Sequence, residues 1–270
     1  MTGKIFVETL RRNWRIMLYW GIGMGLYGVM ITVAVLDDKS LQQIMQVIET
    51  MPSFIIQGFM GGADIEFMSS ADGYFAIKFF SMALLIYSLY AVTAGLAVTA
   101  NDEDAGIMDV FLSMPVPRWA VMLERALAFA VMMIGVLALT YLGVLIGSMF
   151  VPQVSYDLVH IGVTFANIYP SMIFVLSMTV LFGVLFRRRS VALGVTAAVV
   201  AGSYFLDFVA SGAPDSFLGT LGYLSYFRFN DGVRVMQFGL EPLNIGLLVA
   251  VAVLLLALAL WRFQKRDIGL

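Results

Sequence analysis

Residues 79–100, FFSMALLIYSLYAVTAGLAVTA, carry no charge, and they run straight into residues 101–125, NDEDAGIMDVFLSMPVPRWAVMLER, which hold five acids and two arginines. About 20 apolar residues at a rise of about 1.5 Å each span roughly 30 Å of hydrocarbon. The first stretch therefore reads as a helix crossing a membrane, and the second as a polar connection kept outside it. The same alternation recurs along the chain, with charge-free runs at 16–36, 126–150, 161–186 and 242–261, a fifth run at 190–211 broken only by Asp207 near its outer end, and the quoted run extended to its flanking Lys78 as 78–100. That makes six spans in one domain, 1–270. The runs are long and unbroken, whereas barrel strands alternate over about 10 residues. The fold class is an all-α integral membrane protein.

Composition agrees. The chain is 61% hydrophobic and 13% charged, with a mean hydropathy of +0.91; soluble proteins carry about 25% charged residues. A net charge of -2 without a basic tail offers nothing to a nucleic acid. Cysteine is absent, which removes disulfides and thiolate metal sites. The single histidine, His160, lies by a loop without companion ligands, so no metal is assigned.

Cations set the orientation. With both termini cytoplasmic, the inner side holds Lys4, Arg11, Arg12, Arg15, Arg118, Arg125, Arg187, Arg188, Arg189, Arg262, Lys265 and Arg266, and the outer side only Lys39, Lys78, Arg228 and Arg234. The first apolar run is too long for a cleaved signal peptide and no A-x-A-like site follows it. Over residues 1–15, Phe6, Val7, Leu10 and Trp14 share one side of a helical wheel and Lys4, Glu8, Arg11, Arg12 and Arg15 the other, with Ile5 the misfit. This is the pattern of a helix lying in the inner interface; a plain positive-inside anchor also fits it.

Two longer segments fall outside. In 37–77, Leu41, Ile44, Met45, Ile48 and Met51 follow helical spacing and Gly61–Gly62 marks a turn. In 212–241, Phe217, Tyr223, Tyr226, Phe227 and Phe229 suit short helices at the outer interface.

In the quoted connection, Asn101–Asp104 places a capping residue and three acids where the helix dipole favours negative charge. Ile107, Val110, Phe111 and Met114 then form one apolar stripe, and Pro115 and Pro117 stop the helix. An amphipathic helix resting on anionic lipid would need basic residues, and this one is acidic. It either packs on the chain's own spans or enters the apolar groove of a soluble partner, and the latter fits its charge better.

The stretch EDAGIMDVFLSMPVPRWAVMLER resembles the segment after the second span of type-2 ABC exporter permeases. Glu103, Gly106, Leu112, Ser113, Pro115, Val116, Arg118 and Arg125 match that pattern in order, with Ile107 where threonine is often found and Arg125 where lysine is commoner. The basic ending WRFQKRDIGL and the six-span layout are also similar.

The resemblance implies a permease of the plasma membrane, the inner membrane of a prokaryote. It implies assembly with a second permease chain, identical or not, and with two ABC ATPase subunits. ATP and magnesium would be bound there and no cofactor on this chain. No G-x-x-x-x-G-K-[ST] loop occurs in the sequence, and the chain reads as a transport subunit without an ATPase site, not an enzyme. Residues 101–125 become a cytoplasmic coupling-helix region, in which Glu103, Asp104, Gly106, Asp109, Phe111 and Arg118 transmit the ATPase movement, and Arg187, Arg188 and Arg189 add a second contact.

A substrate path would show as small or polar residues on one face of a span. Tyr87, Tyr90 and Thr93 in the second span and Gly194, Ala198, Gly202 and Tyr204 in the fifth are candidates, and in the resembling family these two spans line the interface between permease chains. Ordinary helix packing gives the same patterns. Gly23, Gly25 and Gly28 spell G-x-G-x-x-G without the strand a dinucleotide site needs; Gly21, Gly25 and Gly28 instead share a face that permits close helix contact.

An ion-gradient-driven transporter or channel is the alternative. It would be expected to bury ionisable residues or broken helices near mid-membrane, yet only Pro170 interrupts a span and only Asp207, near an outer end, brings an acid into one. An intramembrane enzyme would need a histidine or an acid pair at depth. Uncharged, aromatic spans suit a lipophilic or amphiphilic cargo.

Overall fold

The computed structural model describes residues 3–34, 50, 65–68, 70–101, 117–186 and 188–265. The helices expected over 41–51 and 102–114, and the turn at Gly61–Gly62, lie outside the described residues apart from Thr50. Among those residues every regular element is helical: α1 (Lys4–Ala34), α2 (Ile65–Met68), α3 (Ala71–Phe75), α4 (Ser81–Val98), α5 (Arg118–Met149), α6 (Leu158–Leu185), α7 (Arg189–Gly212), α8 (Phe217–Leu221), α9 (Gly232–Phe238) and α10 (Pro242–Lys265). Six of these segments are long and apolar enough to cross a membrane, with α3 and α4 joined as one. Six crossings put both termini at one end of the bundle, here the terminal end; the other is the distal end.

The segment expected to lie in the interface, 1–15, and the span expected from Ile16 run together: α1 is one helix of 31 residues. A sharp bend needs proline, glycine pairs or a bulge, and neither proline nor glycine occurs between Lys4 and Trp20. The second crossing begins at Ala71, about two turns before Lys78. Ser70 caps it by accepting from the Gly73 N–H at 3.0 Å, and a π-helical turn at Ala76–Phe80 joins α3 to α4. Lys78 is no obstacle, because its side chain is exposed and can keep its ammonium in a polar layer. Pro117 occupies the N-cap of α5, so the third crossing starts eight residues ahead of the charge-free run at 126. The segment 212–241 forms the short helices expected of it.

Helix α6 is the central post, contacting α4, α5, α7 and α10. Its most apolar stretch is 67% buried, against 22% for α7 and 17% for α10, which are peripheral. At the distal end an aromatic cluster fills the space around the π turn. Phe165 of α6 meets Phe79 and Phe80 at ring distances of 5.3 and 5.2 Å, and Tyr27 of α1 stacks on Phe79 at 5.3 Å.

Helix α1 packs closely on α5. A side chain on Gly21 would meet Leu139, one on Gly25 the Leu139 carbonyl and Gly143, and one on Gly28 Val144. A methyl built on Gly143 would fall on the backbone of Gly25. The expected glycine face of α1 is therefore a packing seam. In lipid, helices gain little from apolar burial and associate by close van der Waals contact, which small residues permit. Tyr156 extends the seam distally by donating to the Thr32 carbonyl at 2.8 Å.

Candidate functional site

At the terminal end the first turns of α5 hold two other helices. The Glu124 carboxylate accepts from the backbone N–H groups of Gly3 at 2.9 Å and Phe6 at 3.1 Å. Those N–H groups begin α1 and have no acceptor within their own helix, so Glu124 caps α1 from another element. Its neighbour Arg125, only 7% exposed, donates from Nη1 to the Val98 carbonyl at 3.0 Å. Val98 ends α4, where a cation complements the helix dipole. Replacing Glu124 by alanine is expected to cost about 1 kcal/mol, the usual worth of a cap. The check is faster amide hydrogen exchange over residues 3–9 with exchange in α6 unchanged.

One further contact joins the two connections at this end. Arg189, at the start of α7, donates from Nε to Asn101 Oδ1 at 2.6 Å. Asn101 is the last described residue before 102–116, and Arg188 and Arg189 begin α7. The described ends of the two connections, Asn101 and Arg189, are thus side by side. Of the residues expected to contact an ATPase, Glu103, Asp104, Gly106, Asp109, Phe111 and Arg187 lie outside the described residues. Arg118 is half-buried at the first position of α5, and Arg188 and Arg189 are exposed. The clamp by Glu124 and Arg125 was not legible as such; the only signal was an adjacent acid and base opening an apolar run.

The residues considered for a path divide into two groups. Tyr87 and Tyr90 are sealed in the chain's own core: the Tyr87 hydroxyl donates to Thr140 Oγ1 at 2.9 Å, and Tyr90 packs on Trp20 at a ring distance of 5.6 Å. Thr93 is exposed. Gly194, Ala198 and Gly202 are also exposed, on one face of α7, and a side chain at Gly194 or Gly202 would meet nothing within 4 Å. Tyr204 turns inward against Phe227 at 5.5 Å.

At the distal end, a buried amide pair holds the segment after α7 to the central post. Asn167 Nδ2 donates to Asn230 Oδ1 at 3.0 Å, and Asn230 Nδ2 donates to the Asn167 carbonyl and to Ser171 Oγ, both at 2.8 Å. Asn167 is the only asparagine in the 28 residues of α6, a polar residue in an apolar run that could have pointed to this contact. Next to Asn230, Asp231 caps α9 by accepting from the N–H groups of Val233 and Arg234 at 3.0 and 3.1 Å. Burial raises the pKa of Asp231 above the usual carboxylate value; those N–H donors, then Arg234 and Arg228, pull it partly back. His160 stands apart, its Nδ1 2.6 Å from the Asp157 carboxylate. Hydrogen bonds from the His160 backbone and ring lower the Asp157 pKa. Among the described residues no three His, Cys, Asp or Glu side chains group as a metal site would require.

Compared with known proteins, residues 9–264 match the family model described as "Multidrug efflux system permease Rv1217c, C-terminal domain". No curated protein matches the chain.

Proposed function

The chain belongs to the family of the multidrug efflux system permease Rv1217c, C-terminal domain, and from that premise we propose that it is the membrane-spanning subunit of an ATP-driven ABC exporter. Two such permease chains would assemble with two ATPase subunits, which bind ATP and magnesium. Both termini would face the cytoplasm, across the plasma membrane of a prokaryote. Movement in the ATPases would enter through 101–125 and the connection before α7.

The observation that carries this reading is the Arg189–Asn101 hydrogen bond of 2.6 Å. It sets the start of one connection, Asn101, against the end of the other, Arg189, far apart in sequence, which supports one soluble partner pressing on both. Through Val98 and Arg125, α4 and α5 are tied at the same level, so a push there reaches the helices that enclose α6. The family's description as a multidrug efflux permease supports a lipophilic or amphiphilic cargo. The exposed stripe of Gly194, Ala198 and Gly202 on α7 supports a close approach of the second permease chain there, with cargo passing between the two chains.

The test is purification of the tagged chain in mild detergent, followed by mass spectrometry and an ATPase assay. An ABC ATPase should co-purify, and Glu103→Arg and Phe111→Ala should each cut its recovery and the associated ATPase rate by about tenfold or more, as loss of a buried anchor or reversal of a contact charge does. A chain recovered alone, under conditions that preserve other membrane complexes, would overturn the proposal and put the ion-gradient-driven alternative in its place.

A further inference from the structure

The distal end holds a cavity of about 520 Å³ walled by α6, α7, the segment 214–235 and the start of α10, with Asp207, Tyr223, Arg228, Asp231, Arg234 and Glu241 supplying its charges and an aromatic face. A smaller space of about 70 Å³ shares Asp207, Ser211 and Asp231 with it. A volume of several hundred Å³ suits a small organic molecule.

The charges within it are unevenly satisfied. Arg234 Nε is 2.8 Å from the Glu241 carboxylate, and the two neutralise each other. That leaves Asp207 and Asp231 facing Arg228. Asp231 spends one oxygen on capping α9. Arg228 makes a long contact of 3.5 Å to Ser211 Oγ and lies 5.5 Å over the Tyr223 ring. Asp207 is the least satisfied: its Oδ1 is sealed from solvent and has no hydrogen-bond partner. It sits five residues before the end of α7, about 7.5 Å down the helix. A carboxylate kept there without a donor is costly, and a cation in the adjoining space would relieve it. With three acids against two arginines, the lining favours positive over negative ligands.

We propose that this distal cavity binds an organic ammonium group, with the Asp207 carboxylate as its counter-ion, Asp231 as the second acid, and Tyr223 and Phe229 as the apolar wall. An ammonium brings charge, tolerates a partly apolar setting, and gains from an aromatic face. Its carrier is either a free amine-bearing amphiphile or the ethanolamine headgroup of a phospholipid. The site stands on these residues alone and does not depend on how transport is powered.

The experiment is calorimetric titration of the full chain, in nanodiscs of phosphatidylglycerol, with benzyltrimethylammonium and with benzenesulfonate, an anion of similar size. The cation is expected to bind in preference to the anion. Asp207→Asn should weaken it about tenfold, the equivalent of about 1.4 kcal/mol. Arg228→Gln removes the opposing charge and should tighten it a few-fold, which no loss of folding could imitate. Preference for benzenesulfonate, unchanged affinity in Asp207→Asn, or weaker binding in a folded Arg228→Gln would each overturn the site. A carboxyl that is simply protonated gives the second of these results. Repeating the titration with phosphatidylethanolamine in the disc separates the sources: competition identifies the headgroup, and unchanged binding a free cation.

Discussion

Gly143→Leu is expected to lower the stability of the folded chain by about 3 kcal/mol or more, the upper end of overpacking costs, because the added side chain would meet backbone and not a movable side chain. On α5, Gly143 faces the backbone of Gly25 so closely that even a methyl has no room. Relief would require α1 and α5 to separate along the seam that also carries Gly21 and Gly28 against Leu139 and Val144, and separation there loosens the hold of the bundle on α1. The measurement is the thermal midpoint in detergent, followed by the monodisperse fraction on size exclusion. Gly23→Ala is the control, since a side chain there meets nothing within 4 Å; it should be neutral or stabilising by up to about 1 kcal/mol, the helix propensity gain over glycine. A Gly143→Leu protein melting with the wild type would mean that the two helices do not approach closely along this seam.

Asn230→Leu is expected to cost about 2 kcal/mol, at roughly 0.6 kcal/mol for each of three hydrogen bonds inside a membrane protein, and more if the groups left behind stay buried and unpaired. It removes the acceptor of Asn167 Nδ2 and the donor to the Asn167 carbonyl and Ser171 Oγ. These bonds anchor the residues between α7 and α9 to the central post. Amide exchange should therefore speed up over 222–238 while α1 and α5 keep their protection. The double variant Asn167→Leu with Asn230→Leu should be less destabilised than the sum of the singles, because removing both partners leaves fewer groups orphaned. Strict additivity would show that the amide pair carries no coupling.

The crossings were legible because charge interrupts them. Each run bounded at 16–36, 126–150, 161–186, 190–211 and 242–261 corresponds to a helix that covers all or nearly all of it. The boundaries that moved did so where charge proved a poor stop signal. The second crossing continues back through Lys78 and Asp72, since a lysine at the helix surface carries its ammonium outward. Helix α1 continues back through Arg15, Arg12 and Arg11 because nothing in that stretch breaks a helix. The glycine face of α1 was readable from spacing alone. The cavity was not: Asn167, Asp207, Arg228, Asp231 and Asn244 come from separate elements, and although Asp207 and Asn167 each stand out within an apolar run, nothing in their spacing brings the five together. Tyr87 and Thr93 show the same limit from the other side, six residues apart on one span, the first buried and the second exposed.

That this is a helical membrane protein, how many times it crosses, and where its polar connections fall can all be read from the chain alone. Those features follow from the cost of placing charge in hydrocarbon, which each segment meets independently. Which faces meet is fixed by packing in three dimensions: α6 is enclosed while α7 and α10 stay peripheral, Arg189 reaches Asn101, and Asp207 is left without a donor beside Arg228 and Asp231. The reason is that a lipid tail and a neighbouring helix are equally apolar. Hydropathy therefore locates the membrane but cannot tell a residue that faces lipid from one that faces the core.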